Sequence, residues 1–309
     1  MGKPLIIIGG PTGTGKSEVA CCVACRLGAE IISADSMAVY RDMNVGTAKP
    51  VDCMRLVKHH LIDIVYPGEY FDAKLFEELA LSSIREIYEQ DKVVVVVGGT
   101  YLYIQVLLYG IEETPDPNWE LRRRLYKLAE RKGTSFLFEK LRIVDPFYAS
   151  KIHPNDLRRT VRALEVFIET GKRFSSFHSW EEPRFKYIGF FLNRSWENLS
   201  KRIEERVFKM FESGLVDEVK HLIDRGFEKF LTSTQAIGYK ELIPYFKGNI
   251  SIEDAIREVI KNTKEYARRQ VRWFRKQGWV EIDMDRCSKE EACDKIISML
   301  KSQAIINFL

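Results

Sequence analysis

Apolar positions change their period partway along the chain. Near the N-terminus they fall in short unbroken runs, Leu5-Ile6-Ile7-Ile8-Gly9, Glu30-Ile31-Ile32-Ser33-Ala34 and Val93–Gly98. Runs of this length, rich in β-branched residues and alternating with helical patterns such as the one opening at Ser17, predict βαβ units around a buried parallel sheet. From Asp116 the period becomes that of amphipathic helices such as Trp119–Arg131, interrupted at Pro146, Pro154 and Pro183. The change predicts an inserted all-helical lobe over 116–183. Tyr187–Leu192 then reads as a strand returning to the sheet, with further helices after it. The expected architecture is α/β, with a core of 1–115 and 184–309 that carries C-terminal helices and accepts the lobe as an insertion.

The first strand delivers the chain into Gly10-Pro11-Thr12-Gly13-Thr14-Gly15-Lys16-Ser17, which fits G-x-x-x-x-G-K-[ST]. In that loop backbone N–H groups and the lysine hold phosphates, and the Ser hydroxyl, here Ser17, holds Mg²⁺. Strand before and helix after are the context the motif requires, and the helix N-terminus adds positive potential at the phosphates. The sheet is therefore expected to be of the P-loop NTPase type. Whose phosphates it holds is left open, since kinases, NTPases and some transferases share the loop.

With 309 residues, 45% apolar and 30% charged, the chain is globular and large enough for one extended domain or two. No uninterrupted apolar run approaches the about 18 residues of a membrane span, so a cytoplasmic protein is expected. The six cysteines, Cys21, Cys22, Cys25, Cys53, Cys287 and Cys293, show no paired CxxC spacing, and reduced buried thiols are expected rather than disulfides or a metal site. His59 and His60 have no third partner at useful spacing and are expected to be structural.

A net charge of +4 does not by itself announce nucleic acid, but its distribution is uneven. Lys and Arg outnumber Asp and Glu by 14 to 10 over 116–183 and by 20 to 13 over 184–279, leaving the first 115 residues near neutral or acidic. Two clusters stand out, Arg158-Arg159-Thr160-Val161-Arg162 and the stretch from Lys264 to Lys276. On a helix, Arg268, Arg272 and Arg275 share one face while Ala267, Val271 and Phe274 share another. A solvated amphipathic helix is the plain reading; the acid-poor face, nearby aromatics and second Arg cluster favour contact with a phosphate backbone.

The strand 30–34 ends at Asp35, and Val93–Gly98 ends at Gly98-Gly99-Thr100. Ligands of parallel α/β sheets bind at the carboxyl edge, so Asp35 and Thr100 should face the same cleft as Lys16. An aspartate there suits either a Mg²⁺ ligand or a proton acceptor for a nucleophile.

Several ordered segments together resemble the tRNA dimethylallyltransferase (tRNA isopentenyltransferase) family of bacterial type. They are Gly10–Ser17, Ser33-Ala34-Asp35-Ser36-Met37-Ala38-Val39-Tyr40, Val45–Pro50, His59–Asp63, Gly98–Tyr103, Asp145-Pro146, His153–Asp156, Gln235–Glu241 and Tyr266–Gln270. The resemblance spans about residues 4 to 280. It implies transfer of a dimethylallyl group from dimethylallyl diphosphate to the exocyclic N6 of the adenine 3′ of the tRNA anticodon. The diphosphate would lie on Gly10, Pro11, Thr12, Gly13, Thr14, Gly15, Lys16 and Ser17 with Mg²⁺ at Ser17. The implied catalytic set is Asp35 as proton acceptor with Thr12, Lys16 and Arg206 near the diphosphate. Contact with the anticodon stem-loop is assigned to Asp35, Ser36, Met37, Ala38, Thr100, Arg122, Arg158, Arg159, Arg162, Gln235, Gly238, Tyr239, Lys240, Arg268, Arg269, Gln270, Arg272 and Arg275. The protein is expected to act as a monomer, without a membrane.

Some positions depart from that pattern. Ala38 stands where many relatives carry Gln, so base recognition would rest on Asp35, Ser36 and backbone groups. Tyr101 and Lys264 are milder differences, and no Cys/His finger follows residue 280. Three other readings remain: a small-molecule P-loop kinase, for which the late basic helices have no use; an adenylate isopentenyltransferase, which would not need the lobe; and a non-catalytic tRNA-binding module, which would not need Lys16, Ser17 and Asp35.

Overall fold

A computed structural model of the chain describes residues 3–111, 114–177 and 182–302. Its strands β1 (Leu5–Gly9), β2 (Glu30–Ala34), β3 (His59–His60), β4 (Val94–Gly98), β5 (Tyr187–Asn193) and β6 (Val280–Asp283) form one parallel sheet in the order β3-β2-β4-β1-β5-β6. β1, β2 and β4 are buried along their whole length, which is why their sequences read as unbroken apolar runs rather than as alternation. Ile7 faces Val96 on one side and Gly189 on the other, so β1 is the central strand and its carboxyl end the centre of the sheet's ligand edge.

The contacts divide the chain into two compact units, one of 1–108 with 184–309 and one of 109–183. In the first, helices α1 (Lys16–Leu27), α2 (Val51–Leu56), α3 (Ala73–Glu89) and α4 (Tyr101–Tyr109) precede the second unit. The second unit consists of α5 (Trp119–Lys132), α6 (Thr134–Val144), α7 (Pro146–Ala149) and α8 (Leu157–Thr170), packed through Leu125, Leu137, Leu141, Val161 and Leu164. Asn118, Asp145 and Asp156 cap its helices by accepting the amides of Leu121, Tyr148 and Arg159. The chain resumes in the first unit, where the Arg184 amide donates to the Leu108 carbonyl at 2.6 Å. There α9 (Trp196–Glu212), α10 (Leu215–Asp224), α11 (Ile243–Phe246), α12 (Ile252–Phe274) and α13 (Lys289–Ser302) complete the fold.

Two strands escaped the sequence reading. β3 is two residues long and β6 is partly exposed, so neither carries a buried apolar run. The expectation of reduced cysteines is corrected: Cys21 is disulfide-bonded to Cys53 and Cys22 to Cys293, with Cα separations of 5.8 and 6.1 Å. Consecutive residues of α1 point about 100° apart, and α1 packs against both α2 and α13, so each sulfur meets a different neighbour. Partners 32 and 271 residues away leave no local spacing to read. Cys25 and Cys287 are free. Among the described residues no helix is long and apolar enough to cross a membrane.

Candidate active site

Beyond β1 the chain turns through Gly13 and Gly15 at φ +85° and +92°, a left-handed conformation that side chains resist, and enters α1 at Lys16. The Thr14 hydroxyl donates to the Pro11 carbonyl at 2.9 Å and fixes the turn from within. No side chain caps α1, so the amides of its first turn are available to an anion. From outside, Arg202 Nε donates to the Gly13 carbonyl at 2.9 Å. Arg202 and Arg206 lie one turn apart on α9, whose other face buries Leu199, Ile203 and Val207.

Lys16, Ser17, Asp35 and Arg206 line one cavity of about 310 Å³, together with Thr12, Ser36, Met37 and Ala38. Lys16 and Arg206 are like charges on the wall of one cavity, each partly withdrawn from water. Burial, then repulsion from Arg206, lowers the Lys16 pKa to about 8, partly offset by Asp35. Burial likewise lowers that of Arg206, against the pull of Asp35. Two cations held this way are stabilised by an anion carrying more than one charge.

Across the cavity, Asp35 Oδ1 accepts the amides of Met37 at 2.8 Å and Ala38 at 3.2 Å, closing the turn after β2. The Ser36 amide donates to Thr100 Oγ1 at 3.0 Å, so the turns after β2 and β4 are joined. Tyr266 of α12, which sequence reasoning did not single out, bonds Thr100; burial and the negative charge of Asp35 keep its phenol protonated well above the ordinary range. Lys49, also missed, donates to the Tyr40 carbonyl, Asn44 Oδ1 and Asp63 Oδ1, and lines the same cavity. The Val45–Pro50 segment was part of the resemblance, but nothing in it marked that lysine as a loop clasp.

The residues assigned to RNA contact are sorted by the structure. Gln235, Lys240 and Arg269 are exposed at the cavity, and Arg268, Arg272 and Arg275 are exposed on α12, with the Arg268 guanidinium 4.2 Å over the Trp196 ring. Ala267 and Phe274 are buried on the opposite side of α12, as the face argument requires. Three of the assigned residues carry bonds inside the fold, and two of them, Tyr239 and Gln270, also line the cavity. Tyr239 is fully buried, and its hydroxyl donates to Glu218. Gly238 is buried and gives its amide to Glu241 at 2.8 Å. Gln270 is 2% exposed; its Oε1 accepts the Thr12 amide and its Nε2 donates to the Gly99 carbonyl.

In the helical unit, Arg122 and Arg162 are half-buried and likewise bonded within the fold. Arg122 makes a two-pronged bond at 2.8 and 2.9 Å to Glu165, a carboxylate with no exposure, and Arg162 bonds the same group from its other side. A buried acid takes both guanidinium groups because each neutralises part of its desolvated charge. Arg158 and Arg159 remain exposed on α8. His60 is held by Glu30 at 2.7 Å, and among the described residues no cluster of three or more His, Cys, Asp or Glu suits a metal.

A central parallel strand and an uncapped helix behind a glycine loop, with a half-buried Lys–Arg pair beside it, define a P-loop α/β protein. Residues 38–277 match the IPP transferase family model. The chain is 61% identical over 297 residues to a tRNA dimethylallyltransferase of Aquifex aeolicus, covering 96% of this chain and 97% of that one. It is 53% identical over 278 residues to the protein of that name from Hydrogenobaculum, covering 90% and 93%. Among solved structures, the full-length tRNA isopentenylpyrophosphate transferase of Bacillus halodurans superposes with a TM-score of 0.72 at 36% identity, over 99% of this chain and all of that one. A eukaryotic dimethylallyltransferase acting on tRNA gives 0.81 at 30% identity, over 99% and 80%. The chain belongs to the IPP transferase family.

Proposed function

We propose that this enzyme transfers a dimethylallyl group from dimethylallyl diphosphate to the N6 amine of the adenine 3′ of the anticodon in tRNA. The observation that carries the reading is a cavity lined both by a half-buried cation pair, Lys16 and Arg206, and by a carboxylate, Asp35. In the step, the bond from the allylic carbon to the diphosphate oxygen breaks and its electron pair leaves with the diphosphate. The N6 lone pair forms the new C–N bond, and the N6 proton passes to Asp35. Lys16, Arg206 and the amides at the start of α1 stabilise the charge that grows on the departing diphosphate. Both loop amides held by Asp35 use Oδ1, which supports Oδ2 as the acceptor of the N6 proton in this proposal.

A magnesium ion suits the donor set. The Ser17 hydroxyl is a hard oxygen lining the cavity beside Lys16, and Mg²⁺ is commonly bound by one or two protein oxygens, substrate phosphates and waters. When bound, the ion would neutralise charge on the diphosphate oxygens.

An adenine reaches this cavity only by leaving the anticodon stack, which costs a few kcal/mol. Gln235, Lys240, Arg268, Arg269, Arg272 and Arg275, with Arg158 and Arg159 on the 109–183 unit, are the exposed groups we assign to the RNA. The proposal includes a monomeric enzyme working in the cytoplasm, where its tRNA substrate is found. The test is incubation with unmodified tRNA, Mg²⁺ and dimethylallyl diphosphate, in parallel with AMP, followed by mass analysis of nucleosides. A dimethylallyl gain on tRNA adenosine alone is the expected result. Gain on AMP alone, or no gain with turnover of ATP instead, would sink it.

A further inference from the structure

The loop between β2 and α2 has no regular structure of its own, yet its end, Ala48-Lys49-Pro50, lines the cavity beside Lys16, Ser17 and Arg206. The same three residues line a second cavity of about 790 Å³, which also includes Lys16 and Arg206. Something must hold this wall, because Asp42 and Ala48 sit at φ +62° and +49°, a conformation non-glycine residues adopt at a cost.

The holder comes from α10. The Glu218 carboxylate collects three successive backbone amides, those of Asn44 at 2.8 Å, Val45 at 2.9 Å and Gly46 at 3.3 Å, and also accepts the Tyr239 hydroxyl at 2.5 Å. Consecutive N–H groups turned to one point form an anion site within the backbone, and here a side chain fills it. The Tyr239 ring then closes over Gly46, where a Cβ would lie 2.3 Å from it, so the turn cannot carry a side chain. Just past the end of α10, Arg225 pairs with Asp42 at 2.8 Å. Glu218 itself lines neither cavity.

We infer that Glu218 is a positioning residue for the alkyl donor: by gathering the amides of 44–46 it sets the Ala48–Pro50 wall against which dimethylallyl diphosphate lies. This rests on the function proposed above. Without the carboxylate the three amides lose their acceptor, the wall moves, and donor affinity falls while the RNA-facing groups of α12 are untouched.

The experiment is direct binding of dimethylallyl diphosphate with Mg²⁺, without tRNA, to the wild type, Glu218→Gln and Glu218→Ala, alongside steady-state transfer kinetics and thermal melts. Losing charged hydrogen bonds of this kind, the Ala variant should raise both Kd and KM for the donor about tenfold, with KM for tRNA within about twofold. The Gln variant keeps one acceptor oxygen but turns an NH₂ toward the amides, and should give a smaller rise of about threefold. If only the active fraction falls, with donor Kd and KM unchanged in a folded Gln or Ala variant, Glu218 is structural and the inference is overturned. A wild type that binds donor but does not modify tRNA overturns the proposed function, while the donor Kd series still decides the role of Glu218. A wild type that binds no donor overturns both.

Discussion

Gln270 accepts the backbone amide of Thr12 at 3.1 Å, so one side chain of the late basic helix is hydrogen-bonded into the phosphate loop 258 residues earlier. Its Nε2 continues the link to the Gly99 carbonyl at 2.9 Å. Gln270→Ala leaves a buried donor and a buried acceptor unpaired, which costs about 1–3 kcal/mol. A lower melting temperature and a higher KM for the donor are expected in calorimetry and steady-state kinetics; unchanged values of both would show that the link positions nothing.

Asp35→Asn keeps the shape of the turn but removes the proton acceptor. The rate of transfer should fall by about 10²–10⁴, the usual weight of a general base, with tRNA affinity within a few fold. Single-turnover rates and filter binding separate the two effects, and a parallel loss of binding would count against the base role.

Lys16 carries its charge below about pH 8 and loses it above. Because kcat/KM reports the free enzyme, that ratio for the donor should fall as pH rises through about 8. Stability follows the opposite course. The folded pKa lies below the ordinary 10.5, so the charged lysine destabilises the substrate-free protein in full below about pH 8 and the penalty is relieved between the two values. Lys16→Met should therefore melt higher than wild type at pH 7 without ligand while failing to bind donor, which a melt series with and without dimethylallyl diphosphate measures.

In the helical unit the arginines separate by role. Glu165→Ala leaves Arg122 and Arg162, both half-buried, without their shared carboxylate and should destabilise by about 1–3 kcal/mol. The paired guanidinium groups hold the Glu165 carboxyl below its ordinary range, so its contribution is present near neutrality and is lost as pH falls below the usual carboxylate value. Arg158→Ala with Arg159→Ala should leave the melt unchanged and weaken tRNA binding instead.

Arg268, Arg272 and Arg275 are assigned to phosphates. Replacing all three should raise KM for tRNA with kcat little changed, and should flatten the slope of log affinity against log salt by about 0.7–0.9 per contact removed. An unaltered salt slope would return α12 to an ordinary solvated helix.

What could be read in advance follows from how local the signal is. β1 and β4 announce themselves because they are buried on both faces, and Lys16, Ser17 and Asp35 because loop chemistry and strand ends place them without long-range information. The exposed faces of α12 follow from helical periodicity alone. That Tyr239, Gln270, Arg122 and Arg162 carry bonds inside the fold was not legible, because such a side chain is spelled the same way as one turned to RNA, and only their partners Glu218, Thr12 and Glu165 reveal it. The Cys21–Cys53 and Cys22–Cys293 bonds were invisible for a related reason, since they depend on which helices flank α1.

The hydrogen bond between the Arg184 amide and the Leu108 carbonyl joins the points where the chain leaves and re-enters the first unit. A polypeptide that leaves and returns through one bonded pair gives what lies between freedom to grow, shrink or be exchanged without re-registering any strand of the sheet. Joining the two ends directly would cost only a closure entropy that changes slowly with length. The strands leading to Lys16 and Asp35 are therefore insulated from changes in the length of the segment between Leu108 and Arg184.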